Sequence, residues 1–332
     1  MLAQALTPTE GYSYYDFDPE YVSFIIDDIN ASPKAPETFS SMSLHLVTHK
    51  QHLISVVQLY ALRDATSEPD MSTLAEMVLT LHGQLLVGSE SSSLTAGNLT
   101  AIRQSGDGYN VWLWVNEGIL YTVWDVTFDG NDSFTSDFVA AAMSAQQGLP
   151  APAPTTVKVP STKYIGPEDE ALIAKMPVLE DYFYMDVPYE TAVNFYQSFK
   201  GRTDVERGSI HFLIHGGDVA VSDDASLMGM LILVELKDPL KQNTKSVNAL
   251  VKTMLSWMAA EEDTYATTQL KVGDTTVWVV DHWDESGDST AFVWGYQGTV
   301  FVFDSSGDCW EDSCTEAVIG YINALVTANT GI

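Results

Sequence analysis

Residues 111–126 read VWLWVNEGILYTVWDV, and residues 291–306 read AFVWGYQGTVFVFDSS. The two stretches align without a gap, Trp114 on Trp294 and Gly118 on Gly298. Each sets large aromatic and β-branched residues around a Glu-Gly or Gln-Gly pair, the pattern of a β-hairpin closed by a two-residue turn. Trp112 and Trp114 share one side of the first strand, and Leu113 and Val115 share the other. With both sides apolar, the strand is expected to lie inside a sheet covered on both faces. A pattern of this length written twice predicts a duplicated domain.

Working outward from the hairpin, the neighbouring elements recur in the same order. In the first half, residues 12–17 form an aromatic strand, and Asp18-Pro19-Glu20 opens a helix to about residue 30, with Asp18 as its N-cap. Two strands follow at 42–49 and 52–62. Residues 72–86 form a helix, with Leu74, Met77, Val78, Leu81 and Leu85 at helical spacing. Residues 89–97 read as a polar, Ser-rich loop. A strand at 99–103, the hairpin and a helix at 133–146, ending before Gly148, complete the unit. In the second half YFYMD at 182–186 matches the aromatic strand, SIHFLIH at 209–215 lies on SLHLVTH at 43–49, and LVELKD lies on LYALRD.

The expected fold class is therefore α+β: two tandem copies of a β-α-β-β-α-β-β-β-α unit, each a mainly antiparallel sheet packed with helices. The expected layout is an N-terminal tail at 1–11, a first repeat at 12–148, a Pro/Ala-rich linker and short helix at 149–177, and a second repeat at 178–332. The chain length suits two domains, each with a core of its own.

The chain carries 45 acidic and 15 basic residues, a net charge of −30. Such a surface repels phosphate backbones and anionic head groups, which argues against nucleic acid and against peripheral membrane binding. No run of about 18 apolar residues is present, so no direct membrane insertion is expected of the given chain. Cys309 and Cys314, in GDCWEDSC, are too few for a four-ligand metal framework and close enough to meet across a tight loop; a disulfide is expected, which implies an oxidising compartment. Asn30, Asn98 and Asn131 each begin an N-x-Ser/Thr sequon and are glycosylation candidates.

Candidate chemistry is sparse. His45/His49 and His211/His215 repeat a His-x-x-x-His spacing, which on a helix would suit zinc. Here the setting alternates as a strand, and four strand residues span about 13 Å, too far for two ligands that each sit about 2 Å from one ion. The acidic stretches after each hairpin supply calcium candidates in Asp129, Asn131, Asp132, Asp304 and Asp308, although neither has the EF-hand pattern. Asp16 and Glu20, with Asp186 and Glu190, could pair carboxylates for acid–base work, but a helix start explains them more simply. Neither a Gly-x-Ser-x-Gly elbow nor a phosphate-cradling Gly-rich motif occurs. Trp112, Trp114, Trp124, Trp278, Trp283 and Trp294 fit a core better than a carbohydrate platform.

The sequence thus leads to a non-enzymatic structural or binding protein, extracellular or on a cell or particle surface, presenting paired units to a protein or glycan partner. It calls for no cofactor, calcium aside, and is compatible with self-association. The alternative is a hydrolytic enzyme or a small-ligand-binding protein using the groove between the two repeats.

Overall fold

The computed structural model describes residues 2–16, 38–49, 52–64, 70–82, 90–106, 109–126, 133–155, 172, 175–176, 182–187, 203–215, 227–237, 244–261, 265–284, 287–305 and 319–324. The protein is mixed α/β, mostly strand, with mainly antiparallel pairing. The chain divides into two compact units, Met1–Val157 and Lys158–Ile332.

The first unit contains strands β1 (Tyr12–Asp16), β2 (Phe39–His49) and β3 (His52–Leu62), then helix α1 (Met71–Leu81). Strands β4 (Glu90–Ala96), β5 (Leu99–Gly106), β6 (Tyr109–Asn116) and β7 (Ile119–Asp125) follow, and helix α2 (Ser133–Gln146) ends the series. Their order in the sheet is β1-β2-β3-β7-β6-β5-β4. Pairing of β3 with β7 brings the β6–β7 hairpin inside the sheet. Its turn is Glu117-Gly118, with φ of 51° and 73°, and positive φ at both central residues is what a right-twisted two-residue hairpin requires.

Helices cover both faces of this sheet. On one face Trp112, Trp114, Tyr121 and Val123 pack with Phe138, Val139, Ala142 and Met143 of α2. On the other, Val111, Leu113 and Leu120 pack with Leu74, Ala75, Val78 and Leu79 of α1. Successive residues of β6 therefore feed opposite cores, as their alternation predicts. Helix α1 starts at Asp70, whose side chain accepts from the Ser72 N–H (3.1 Å) and from the Thr73 hydroxyl (2.6 Å).

The second unit contains β8 (Tyr182–Asp186), β9 (Val205–His215), β10 (Leu227–Leu236), helix α3 (Thr244–Glu261), β11 (Tyr265–Val272), β12 (Thr275–Asp284), β13 (Gly287–Tyr296) and β14 (Thr299–Asp304). Residues 319–324 are helical. The sheet order is β8-β9-β10-β14-β13-β12-β11. Its hairpin turn, Gln297-Gly298, has φ of 45° and 78°. Val293, Val300 and Val302 pack under Val247, Leu250, Val251 and Met254 of α3, while Phe292, Trp294, Phe301 and Phe303 pack with Tyr321 and Ile322.

Register agrees residue for residue. Asp16 pairs with His45 and Asp186 with His211; Val57 pairs with Val123 and Leu231 with Phe303; Ala96 pairs with Leu99 and Val272 with Thr275. Trp114 stacks on Tyr121 at 4.9 Å and 7°, and Trp294 on Phe301 at 5.2 Å and 4°. The Leu62 N–H donates to Gly118 O at 2.9 Å and the Leu236 N–H to Gly298 O at 3.0 Å.

Two findings depart from the sequence reading. The Ser-rich stretch read as a loop is strand β4, and β11 is the matching strand of the second unit, so each unit has seven described strands where about six were expected. Both strands are polar because they lie at the sheet edge, where burial does not demand apolar residues. The N-terminal stretch read as a tail is docked: Leu2–Ala5 is a 3-10 helix, Leu2, Ala5 and Leu6 pack against the α2-side core, and the Tyr121 hydroxyl donates to Ala5 O at 3.3 Å. Leu172 and Met176 join the matching core of the second unit. The expected helix at 18–30 and the whole stretch 156–171 lie outside the described residues.

The sheet core sets the expected stability response. Trp114→Ala should destabilise the first unit by about 3–5 kcal/mol, as large-to-small changes at filled sites do. At Gly295 a side chain would collide with Val247 on α3, so Gly295→Ala should lower the second unit's denaturation midpoint. Urea unfolding followed by tryptophan fluorescence checks both, and an unchanged midpoint in either variant would contradict the packing described.

Candidate functional site

The repeated histidines His45, His49 and His211 each make contacts of their own. His45 is buried, with Nε2 3.0 Å from Ser43 Oγ. His49 Nδ1 lies 2.9 Å from Gly11 O, and its ring packs on Tyr12 with centroids 5.3 Å apart. His211 is fully buried, with its ring edge-on to Tyr184 at 6.5 Å. No group of three or more His, Cys, Asp or Glu side chains fit to hold a metal occurs among the described residues. Asp304 closes β14, pairing with Met230 and Ala291. Asp129, Asn131, Asp132, Asp308, Cys309, Cys314, Asn30, Glu20 and Glu190 lie outside the described residues. Asn98 is exposed in the β4–β5 turn. Trp112, Trp114 and Trp294 are core residues, at 4%, 1% and 0% exposure, and offer no platform for a sugar.

Two polar clusters that the sequence did not announce are present instead. In the first unit the Gln58 side-chain carbonyl collects four neighbours. The Tyr60 hydroxyl (2.8 Å), Trp124 Nε1 (3.0 Å) and Thr122 Oγ1 (3.2 Å) donate to it, and His82 Nε2 lies 3.0 Å away. An indole N–H can only donate, so Trp124 fixes which end of the amide faces the cluster. His82 ends α1 and packs its ring on Trp124, centroids 4.5 Å apart. Burial pushes its imidazole down to about 4 from the usual 6.5, and so the ring is neutral in the fold. Burial likewise raises the Tyr60 hydroxyl far above its usual range. Among the described residues the second unit has nothing comparable: Ile232, Val234, Val302 and Asp304 occupy the positions of Gln58, Tyr60, Thr122 and Trp124 in the shared register.

The second unit has its own cluster around Glu235, whose side chain is 3% exposed. Lys175 Nζ and Arg207 Nε both pair with this carboxylate, and Lys175 also donates to Thr299 Oγ1 at 2.9 Å. Lys175 belongs to the stretch ahead of β8, so the pair ties that stretch to the sheet. In the first unit Ala5, Ser41, Ala61 and Ile119 hold these positions, and Ala5 and Ile119 pack against the apolar core. A third string runs across β5–β7, where Arg103 Nε donates to Asn110 Oδ1 (2.8 Å) and Asn110 Nδ2 to Asp125 Oδ2 (3.1 Å). Each cluster holds elements in place. None sets a nucleophile against a base, as acyl or glycosyl transfer would need. The small apolar pocket among Leu6, Tyr14, Trp114, Tyr121 and Phe138 offers a ligand about 10 Å³, room for a single water.

No family model matches the chain, and no curated protein matches it. A solved structure, that of immunity protein TplEi of T6SS from Pseudomonas aeruginosa complexed with "L" peptide, aligns at a TM-score of 0.23 and 11% identity. The alignment covers 96% of this chain and 97% of that chain. A TM-score so low carries no argument about fold or function.

The Gln58 cluster has a titration signature. As pH falls through about 6.5 the unfolded His82 takes up a proton, while the folded ring resists until about 4. Its contribution is therefore full above pH 6.5, shrinks as pH falls, and is lost below the folded value; its size is on the order of 3 kcal/mol. His82→Leu should flatten the pH dependence of stability between pH 6.5 and 4.5 relative to the wild type, because carboxylate titration cancels in the comparison. Equal slopes in urea unfolding would refute a buried neutral His82. Gln58→Leu strands the Trp124 and Tyr60 donors and should cost about 1–3 kcal/mol.

Proposed function

We propose that the protein is a non-enzymatic structural or binding protein, extracellular or on a cell or particle surface, built from two tandem copies of one α+β unit and presenting them to a protein or glycan partner. The observation that carries this reading is the closure of each unit by its own helices. Both faces of each sheet are filled, so the apolar side chains that could bind a small substrate are spent on the core. Among large apolar side chains of the described residues, Leu149 alone is exposed. Duplication is supported by the matched strand order and register, with equivalent hydrogen bonds at Leu62 and Leu236.

The apolar core recurs between the units, as do the Asp16–His45 and Asp186–His211 pairings, whereas the Gln58 and Glu235 clusters are each held by one unit. A duplicated enzyme would be expected to keep a catalytic set in at least one copy. The clusters around Gln58 and Glu235 instead brace strands against neighbouring segments. The acidity of the chain suits a surface that stays soluble and rejects polyanions. The expected Cys309–Cys314 disulfide and the sequons belong to the same reading, as does calcium bound by the loops after each hairpin.

Three measurements test it together. The full chain should turn over no ester, glycoside or phosphoester substrate in a broad chromogenic panel. It should bind members of a glycan array or a chemically cross-linked surface protein. Saturable turnover abolished by His45→Ala or His211→Ala would sink the reading in favour of a hydrolase.

A further inference from the structure

The β4–β5 turn is Gly97-Asn98, closed by the Ala96–Leu99 pair, with Gly97 at φ 58°. The β11–β12 turn is Gly273-Asp274, closed by Val272–Thr275, with Gly273 at φ 57°. The two turns share one geometry, and in the shared register Asn98-Leu99-Thr100 lies on Asp274-Thr275-Thr276. The first is a complete sequon, and the second would become one by a single change, Asp to Asn. Asn98 and Thr100 are both exposed.

The turn in the first unit is held by its main chain. The Asn98 N–H donates to Gln147 Oε1 at 2.8 Å, and Gln147 Nε2 donates to Ala96 O (2.7 Å) and Met143 O (2.8 Å). Gln147 thereby anchors the backbone, and the exposed Asn98 carboxamide is not needed for the fold. Strand β4 beside it is the outermost of the described strands of the first unit and carries one charge, Glu90, at its far end. The outer strand of the second unit ends near Lys271, which is exposed and donates to Thr276. An outer strand with neither lysine nor proline is open to pairing with another chain, and bulk at its end is one way to prevent that.

We propose that Asn98 is an N-glycosylation site, and that the glycan guards the β4 edge, a task Lys271 performs in the second unit. The inference rests on the extracytoplasmic reading above. The donor class is a lipid-diphosphate-linked oligosaccharide. The Asn98 Nδ2–C1 bond forms as the C1–O bond breaks, the lipid diphosphate leaves with the electron pair, and the amide proton passes to the base of the transferase. Asp274 has no amide N–H to give up and is not an acceptor.

The test uses the full chain exported through a eukaryotic secretory route. Its Asn98 peptide is mass-analysed before and after peptide N-glycosidase in ¹⁸O water. Expected are a glycan at Asn98 that is released with ¹⁸O-labelled aspartate, its loss in Asn98→Gln and Thr100→Val, and a new glycan in Asp274→Asn. Asn98→Gln should keep the wild-type melting temperature yet self-associate more readily, as read by analytical ultracentrifugation. A bare Asn98 in the exported chain, or an Asp274→Asn turn left unmodified, would overturn the proposal. The chain recovered from its own cells separates this failure from that of the wider reading. If Cys309 and Cys314 are oxidised and Asn98 is bare, the glycan proposal falls alone; if the thiols are reduced and Asn98 is bare, the extracytoplasmic reading falls with it.

Discussion

The stacked aromatic pair on the hairpin, Trp114 on Tyr121 and Trp294 on Phe301, is the contact from which the rest of each unit follows. These residues face one another across a two-residue turn, and the strands that carry them lie inside the sheet. A large aromatic pair there leaves a broad apolar surface on one side of the sheet, while Val111 and Leu113, or Val293, leave another on the reverse. Neither can face water without losing about 25 cal/mol for every Å² left uncovered. One helix must therefore lie between the third and fourth strands and another after the seventh, on opposite faces. This is the arrangement found in each unit: α1 and α2 on opposite faces in the first, α3 and residues 319–324 on opposite faces in the second.

The same constraint explains how the units differ. Apolar packing tolerates replacement by another apolar residue of similar size, so Tyr121 and Phe301, or Val57 and Leu231, serve equally well. Burying a polar group in such a core costs stability unless it is hydrogen-bonded. Gln58 is acceptable only with Trp124, Tyr60, Thr122 and His82 around it, and Glu235 only with Lys175 and Arg207. A half-set leaves an unpaired donor or an uncompensated charge, and the latter costs about 3–5 kcal/mol. Each cluster is accordingly all present in one unit and all absent from the other. The positions of Gln58 and Glu235 are held in the opposite unit by Ile232 and Ala61.

How much of this could be read beforehand follows from what each feature depends on. The central hairpin was legible because burial on both faces forces an aromatic and β-branched alternation that few other arrangements produce. Helix α1 was legible through its apolar spacing. Strands β4 and β11 were missed because edge strands are freed from that demand, and ESSSLTA has the composition of a loop. Their one local signal was the turn itself, Gly-Asn and Gly-Asp between alternating residues, which is a two-residue hairpin mark. The docked N-terminal stretch was equally open to reading, since LAQAL at 2–6 and LIAKM at 172–176 hold the same apolar spacing ahead of the aromatic strand. The Gln58 and Glu235 clusters were not legible. Their members are spread over residues 58–124 and 175–299, and they meet only once the strand register is fixed.

Closure of both faces also decides where difference between the units can accumulate without loss of the fold. A substitution on a covered face meets a filled core and is removed by its cost in stability. One at a sheet edge or turn meets water, and its cost is usually within about 0.5 kcal/mol. The edge is therefore where the two units are freest to diverge in what they show to the outside. The pair Asn98 and Asp274 illustrates this, for the backbone of the two turns is the same while the chemistry offered to solvent is not. The shared core gives each unit its shape, and the outer strands and turns are left to tell one unit from the other.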